Sequence, residues 1–401
     1  MFIIANGVPP VAAAHLVMMN TWGVINSFGV FQTYYATALL LPPSTISWIG
    51  SIQIFLLFFI GTFTGRLTDA GYFRPTFVTG TVVFMIGTFT TSVYKAYWQV
   101  FLAQGVCIGI GAGCLFCPTV AILSIWFSKN RGLALGIATA GSATGGLVFP
   151  AMARQLIPSI GFPWTIRAMG FVQLVTLIVA NLTLKESSKG PLRKPGALVE
   201  WTAFTELDYT FYAMGGFIFY LGVYFAFYYL ASFSRDIIGL TYTDSLNLLL
   251  ILNGIGYIGR IVPNFLADRY GCLNVFILIL LASTICAACW TAVSTQPGLY
   301  AWTSCYGIIA AGVQSLFPAA LSSLTTDLSR AGVRMGMVFT IVSFATLTGN
   351  PIAGAIISAS GGKYYGAQVY AASCFLVGGG FLVAARTVKS RKIGRGLWVK
   401  V

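Results

Sequence analysis

The amino-acid sequence predicts an all-α membrane protein with twelve transmembrane helices in two six-helix halves. Of its 401 residues 57% are apolar and only 8% are charged, whereas about 25% of the residues of a soluble domain are charged. Apolar runs of about 20 residues, enough to cross a hydrocarbon core of about 30 Å, follow one another along the whole chain. One hydrophilic stretch near the midpoint divides these runs into two sets of six.

The apolar runs locate the individual helices. Their approximate ranges are 11–35, 45–65, 76–94, 98–124, 132–156, 164–184, 210–232, 243–263, 273–294, 299–324, 335–358 and 367–386. The helices and the hydrophilic stretch together predict four parts: an N-terminal half at 1–184, a cytoplasmic linker at 185–208, a C-terminal half at 209–386 and a basic cytoplasmic tail at 387–401.

The basic residues predict the orientation in the membrane. The chain has a formal net charge of +14, and 18 of its 23 Lys and Arg residues fall on one side if both termini are cytoplasmic. Because cytoplasmic loops carry an excess of Lys and Arg, we expect cytoplasmic termini and a multi-pass protein, most simply of the plasma membrane. Nucleic acid is not an expected partner, because the basic residues alternate with apolar runs instead of forming one face.

The two halves repeat each other at an offset of about 200 residues. The matching landmarks are Gly65–Asp69 with Asn264–Asp268, Pro118 with Pro318, Gly132 and Gly136 with Gly332 and Gly336, and Pro150 with Pro351. Four landmarks in the same order at one offset are typical of an internal repeat. Membrane proteins built from repeated halves are commonly transporters that expose a central site alternately to the two sides.

A short charged loop follows the second predicted helix and runs from Gly65 to Arg74. A carboxylate at a helix end can contact the N-terminus of a neighbouring helix or an Arg. This stretch resembles the signature loop between helices 2 and 3 of the major facilitator superfamily, in which such residues latch the cytoplasmic side. The alternative is ordinary loop charge. The resemblance implies a gating role for Arg66, Asp69, Arg131, Asp268 and Arg269.

Two further stretches resemble the monocarboxylate porter family, and its fungal branch in particular. The residues Trp126–Gly141 combine an aromatic pair, basic residues and an Ala/Gly-rich run at the start of the fifth helix, and Trp22–Tyr35 lies in the first helix. The resemblance covers nearly the whole chain. It implies the major facilitator fold, and we expect a monomer in the lipid bilayer that needs no cofactor and no metal.

Polar residues at membrane depth are the candidates for a substrate site, because an ionisable side chain there costs a few kcal/mol and tends to face a cavity. Arg260 is the strongest candidate. Its guanidinium can bind a carboxylate through two hydrogen bonds, and it aligns with the anion-binding Arg of the resembled family. The alternative is a charge at the cytoplasmic edge of the membrane. The other candidates, each of which could instead serve helix packing, are Asn26, Gln32, Tyr34, Asn253, Gln314 and Phe317.

Two positions depart from the pattern of that family. Its proton-coupled members carry an acidic residue one helical turn before the Arg and a Lys midway along helix 1. The matching positions here are Gly256 and Asn26. Neither residue can titrate, so proton coupling by that route is not expected.

The sequence therefore predicts a secondary active or facilitative transporter. Its expected substrate is a small-molecule organic anion, either a small organic acid of the monocarboxylate type or a related metabolite. Efflux of a fungal secondary metabolite is the alternative. A membrane-embedded enzyme is disfavoured, because one His and acidic residues confined to loops and helix ends provide no catalytic residues. The absence of a G-x-x-x-x-G-K-S/T motif argues against an ATP-driven pump.

Overall fold

The computed structural model describes residues 2–41, 43–127, 131–184, 199–325 and 330–392. The first part of the chain consists of α1 (Phe2–Asn26), α2 (Phe28–Leu39), α3 (Pro43–Phe59), α4 (Gly61–Asp69), α5 (Phe73–Thr91), α6 (Tyr97–Val100), a π-helix (Phe101–Cys107), α7 (Ile108–Trp126) and α8 (Arg131–Thr183).

The later part begins with a 3₁₀-helix (Trp201–Thr205). It continues with α9 (Leu207–Val223), α10 (Phe225–Asp236), α11 (Tyr242–Tyr270), α12 (Cys272–Cys289), a second 3₁₀-helix (Trp290–Ala292), α13 (Gln296–Leu324), α14 (Ala331–Ala359) and α15 (Tyr365–Lys392).

Several of these helices continue one another across a single residue. Ser27 joins α1 to α2, Ile60 joins α3 to α4, and Tyr224 joins α9 to α10. Within α8 the helix breaks at Gly161, whose φ of 76° is a conformation that favours glycine. The short α6, the π-helix and α7 follow one another without a gap and form one rod, whereas Gly271, with a φ of 99°, separates α11 from α12. When the joined segments are counted as one rod each, α8 as two, and the short 3₁₀-helices are left out, twelve rods follow one another along the described ranges, which confirms the predicted fold class.

The rods extend beyond most of the predicted ranges. The first begins at Phe2, although the apolar run predicts residue 11, and α8 crosses the predicted loop at 157–163 with only the break at Gly161. A helix satisfies its own backbone hydrogen bonds, so it can continue past the apolar residues that mark the hydrocarbon core. Within the described ranges, nine helices are long and apolar enough to cross a membrane, one of which is the two-rod α8.

The chain forms two compact units. The first contains Met1–Glu200 and Thr325–Ser343, and the second contains Trp201–Leu324 and Phe344–Val401. The boundaries predicted from sequence at residues 184, 208 and 386 remain a prediction. Residues 185–198, which are most of the predicted linker, and residues 393–401, which are most of the predicted tail, lie outside the described residues.

In the first unit, α1 and α8 pack with their backbones in close contact. A Cβ atom added to Gly23 would lie 2.5 Å from the Cα of Gly145, and one added to Gly141 would overlap the carbonyl oxygen of His15. The His15 ring is hydrogen-bonded to the Ile137 carbonyl (2.9 Å) and to the Thr144 hydroxyl (2.8 Å). The only histidine of the chain therefore joins two helices.

In the second unit, α11 and α13 make a similar contact. A Cβ added to Gly307 would lie 2.7 Å from the Leu252 carbonyl oxygen, and one added to Gly259 would overlap the Ile308 carbonyl oxygen. Small residues allow such close approach of two helices. This packing places polar side chains of α11 next to those of α13.

Candidate substrate site and gating contacts

Arg260 lies on α11 in the second unit, and only 2% of the residue is exposed. Its Nη2 donates a hydrogen bond to Oε1 of Gln314 on α13, at 3.1 Å. No carboxylate of the described residues lies within ion-pair distance of the guanidinium. Because a buried charge without a counter-charge is costly, this guanidinium is well suited to bind an anionic group.

The groups around the guanidinium are neutral. Gly256 precedes Arg260 by one helical turn, and a Cβ added there would lie 2.5 Å from Nη1. The phenols of Tyr224 and Tyr257 interact electrostatically with it. The Nε2 atom of Gln314 is buried and has no hydrogen-bond partner among the described residues. An anion at this point would thus meet two kinds of donor, the guanidinium and an amide.

The other two candidates of the second unit are fully buried. Asn253 lies on α11 and donates to the Leu249 carbonyl of its own helix at 3.0 Å. Phe317 lies on α13, where its ring stacks on Tyr212 (centroids 5.5 Å apart) and meets Tyr220 edge-on (4.9 Å). The structure thus joins Arg260 and Gln314 directly. The roles of Asn253 and Phe317 as substrate ligands remain predictions.

The candidates of the first unit lie on both sides of the joint between α1 and α2. Asn26 is the last residue of α1 and Gln32 belongs to α2. The Asn26 Nδ2 and Gln32 Oε1 atoms are buried, and neither has a hydrogen-bond partner among the described residues. Tyr34 stacks on Phe162 with the ring centroids 4.5 Å apart. These three residues also remain predicted substrate ligands.

The predicted gating residue Asp69 ends α4 and contacts the first turn of α14. Its Oδ1 accepts a hydrogen bond from the Gly332 N–H (3.1 Å), and its Oδ2 accepts one from the Val333 N–H (2.8 Å). The first N–H groups of a helix have no partner within the helix, and the positive end of the helix dipole favours a carboxylate. A helix N-terminus is one of the two kinds of partner that the sequence predicted for Asp69, and the gating role remains a prediction.

Four glycines bring the Asp69 carboxylate within reach of α14. A Cβ on Gly65 would overlap the Gly332 carbonyl oxygen, and a Cβ on Gly336 would overlap the Gly61 carbonyl oxygen. Each helix has two glycines four residues apart, which form one smooth face. These glycines and the Asp69 hydrogen bonds together form the α14 contact.

The other predicted gating residues occupy helix ends. Arg66 is a buried residue of α4, and Arg131 begins α8, where its Nε donates to the Phe127 carbonyl at 3.1 Å. Asp268 and Arg269 lie in the last turns of α11 in the second unit. Their gating roles remain predictions.

A second carboxylate, that of Glu200, lies at the start of α14 and was not predicted from the sequence. Glu200 accepts a hydrogen bond from Nη1 of Arg330 (2.7 Å), and its second oxygen lies 3.3 Å from Nε of Arg334. Burial raises the pKa of Glu200, but the hydrogen bonds from Arg334 and Arg330 outweigh burial and hold that pKa below its usual value. Glu200 is therefore ionised at neutral pH. The only signal in the sequence was the four-residue spacing of the two arginines.

The twelve-rod fold and its long apolar helices are those of a polytopic membrane protein. The profile of the Major Facilitator Superfamily matches residues 11–332. The chain belongs to this superfamily.

Similar proteins agree with this assignment. An MFS-type transporter of Gibberella zeae is 54% identical over 374 residues, which cover 93% of this chain and 84% of the relative. The agnestins efflux protein of Paecilomyces divaricatus is 33% identical over 387 residues, which cover 96% and 87%. The solved structure of a human organic anion transporter has the same fold, with a TM-score of 0.77 at 14% identity, and the match covers 94% of this chain and 99% of that one.

Proposed function

We propose that this chain exports an organic metabolite carrying an anionic group, by alternating access in a secondary or facilitative process. The observation that carries the proposal is the buried guanidinium of Arg260, which has a neutral hydrogen-bond partner and no carboxylate within ion-pair distance among the described residues. The name of the agnestins efflux protein supports export. The buried Nε2 atom of Gln314, which has no hydrogen-bond partner among the described residues, favours a substrate with a second polar group beside the anion.

Uptake of a small organic acid is the second candidate function. It is favoured by the resemblance of Trp126–Gly141 and Trp22–Tyr35 to the monocarboxylate porter family. Both candidates use an anionic substrate and the same fold, so the direction of transport separates them.

Metabolite profiling of a deletion strain tests the proposed function. We expect at least one acidic metabolite to shift severalfold from the medium into the cells on deletion, and to return to the medium when the intact chain is expressed again. Mass spectrometry of paired cell and medium extracts measures this ratio. A shift in the opposite direction would support uptake instead, and an unchanged ratio for every acidic metabolite would contradict both candidates.

We also propose that the chain acts as a monomer in the plasma membrane, with both termini and the linker at 185–208 in the cytoplasm. The placement of 18 of the 23 Lys and Arg residues on that side supports the orientation. In a variant without the eight native cysteines, a single cysteine introduced in the linker should resist an impermeant thiol reagent in intact cells and react after permeabilisation. Reaction in intact cells would reverse the orientation.

A further inference from the structure

Gly256 occupies the space next to the guanidinium of Arg260. The two residues are four positions apart on α11, so their side chains lie on the same helix face. A Cβ at position 256 would lie 2.5 Å from Nη1 and 3.3 Å from the Ala311 Cβ. The first distance is shorter than real Cβ contacts allow, so any side chain at position 256 must displace the guanidinium.

We propose that Gly256 is a positioning residue for the substrate anion, because its missing side chain lets the Arg260 guanidinium fold back along α11 beside Gln314. This inference rests on the proposed function and adds a residue that determines where the positive charge of Arg260 lies. The guanidinium is fixed on one side by the hydrogen bond to Gln314 Oε1 at 3.1 Å. On its other side it needs the space that only glycine leaves.

A substitution at this position should separate folding from binding. The closest atom that a new Cβ would meet is the far end of a long, flexible side chain, which can move away at little cost, and the Ala311 Cβ at 3.3 Å requires a shift of only a few tenths of an ångström. By contrast, Gly259 on the same helix faces the Ile308 backbone oxygen, which cannot move without separating α11 from α13. Gly256→Ala should therefore leave the fold intact and shift the guanidinium, whereas Gly259→Ala should disturb packing.

The shift also has consequences for specificity. A displaced guanidinium no longer lies at hydrogen-bond distance and angle from Gln314. The Nε2 atom of Gln314 has no partner among the described residues. An anionic ligand would then lose one of its two donors or bind both at poor angles. A neutral ligand of the same shape would lose much less, because it does not depend on the charge.

Binding of benzoate and its neutral analogue benzamide to the purified full chain tests this inference. Thermal unfolding at increasing probe concentration gives an apparent Kd for each probe. For the unsubstituted chain we expect tighter binding of benzoate than of benzamide. Gly256→Ala should weaken benzoate binding at least fivefold and benzamide binding less than twofold, with an unchanged or higher melting temperature without probe. Gly380→Ala is the matched control, because a Cβ there meets nothing within 4 Å.

The outcomes distinguish the two proposals. If Arg260→Ala removes the preference for benzoate while Gly256→Ala binds benzoate normally, the positioning role is wrong and the anion site stands. A melting temperature that falls in Gly256→Ala, with both probes affected equally, would show a purely structural role for the glycine. If the unsubstituted chain does not prefer benzoate, or Arg260→Ala keeps the preference, the anion site and this inference both fail.

Discussion

Replacing Arg260 by Ala should reduce transport of the acidic metabolite roughly tenfold to a hundredfold. The estimate follows from the about 1.5–3 kcal/mol that a hydrogen bond to a charged group contributes, since every 1.4 kcal/mol changes an equilibrium constant about tenfold. Arg260→Lys should have an intermediate effect, because it keeps the charge but loses the planar fork and the geometry of the bond to Gln314. Initial rates in proteoliposomes measure both.

Two control variants separate the loss of the Arg260 charge at the site from a general loss of charge or of stability. Arg391→Ala removes a charge from an exposed residue in the last turn of α15 and should transport nearly normally. Arg260→Met should not lower the melting temperature, because it replaces a buried charge without a counter-charge by an apolar side chain. Normal transport by Arg260→Ala would mean that the substrate is neutral. A large loss of stability in Arg260→Met would mean that Arg260 serves the fold.

The features that composition and periodicity determine could be predicted from the sequence. The twelve rods follow from the apolar runs, because a helix in lipid needs about 20 apolar residues. Two kinds of partner could be predicted for the Asp69 carboxylate, a helix N-terminus and an Arg, because both stabilise a negative charge at a helix end. The burial of Arg260 depends on the packing of α11 on α13, which no local pattern in the sequence reveals.

Features that depend on residues far apart in the chain could not be predicted. Glu200 contacts Arg330 and Arg334 across 130 and 134 positions, and no local pattern marks such a pair. From the sequence, Gly256 could be recognised only as a residue that cannot titrate. The space that it leaves for the guanidinium depends on the side-chain conformation of Arg260, which the sequence does not show. The π-helix at Phe101–Cys107 has no composition that distinguishes it from the α-helix around it.

Asp69→Asn should lower the transport rate severalfold and leave substrate affinity within twofold of its normal value. The carboxylate accepts hydrogen bonds from the Gly332 and Val333 N–H groups, whereas an amide has one acceptor oxygen and directs its NH₂ toward the other donor. A charge at a helix N-terminus contributes up to about 2 kcal/mol, so the state that contains the α14 contact should become roughly thirtyfold less populated at most. The affinity should hold if Asp69 is a latch that does not touch the substrate and if the two states bind the substrate about equally.

Separate measurements of rate and affinity decide whether Asp69 is a latch. Initial transport rates in proteoliposomes give the first, and benzoate titration of the purified chain gives the second. Asp244→Asn is a suitable control, since that carboxylate accepts a local hydrogen bond from Thr241 at the start of α11. Asp268→Asn should resemble Asp69→Asn, because the two aspartates occupy equivalent positions in the repeat. Loss of benzoate binding in Asp69→Asn, with the interconversion of states intact, would make Asp69 a substrate ligand, since a latch can slow the cycle but cannot remove the site.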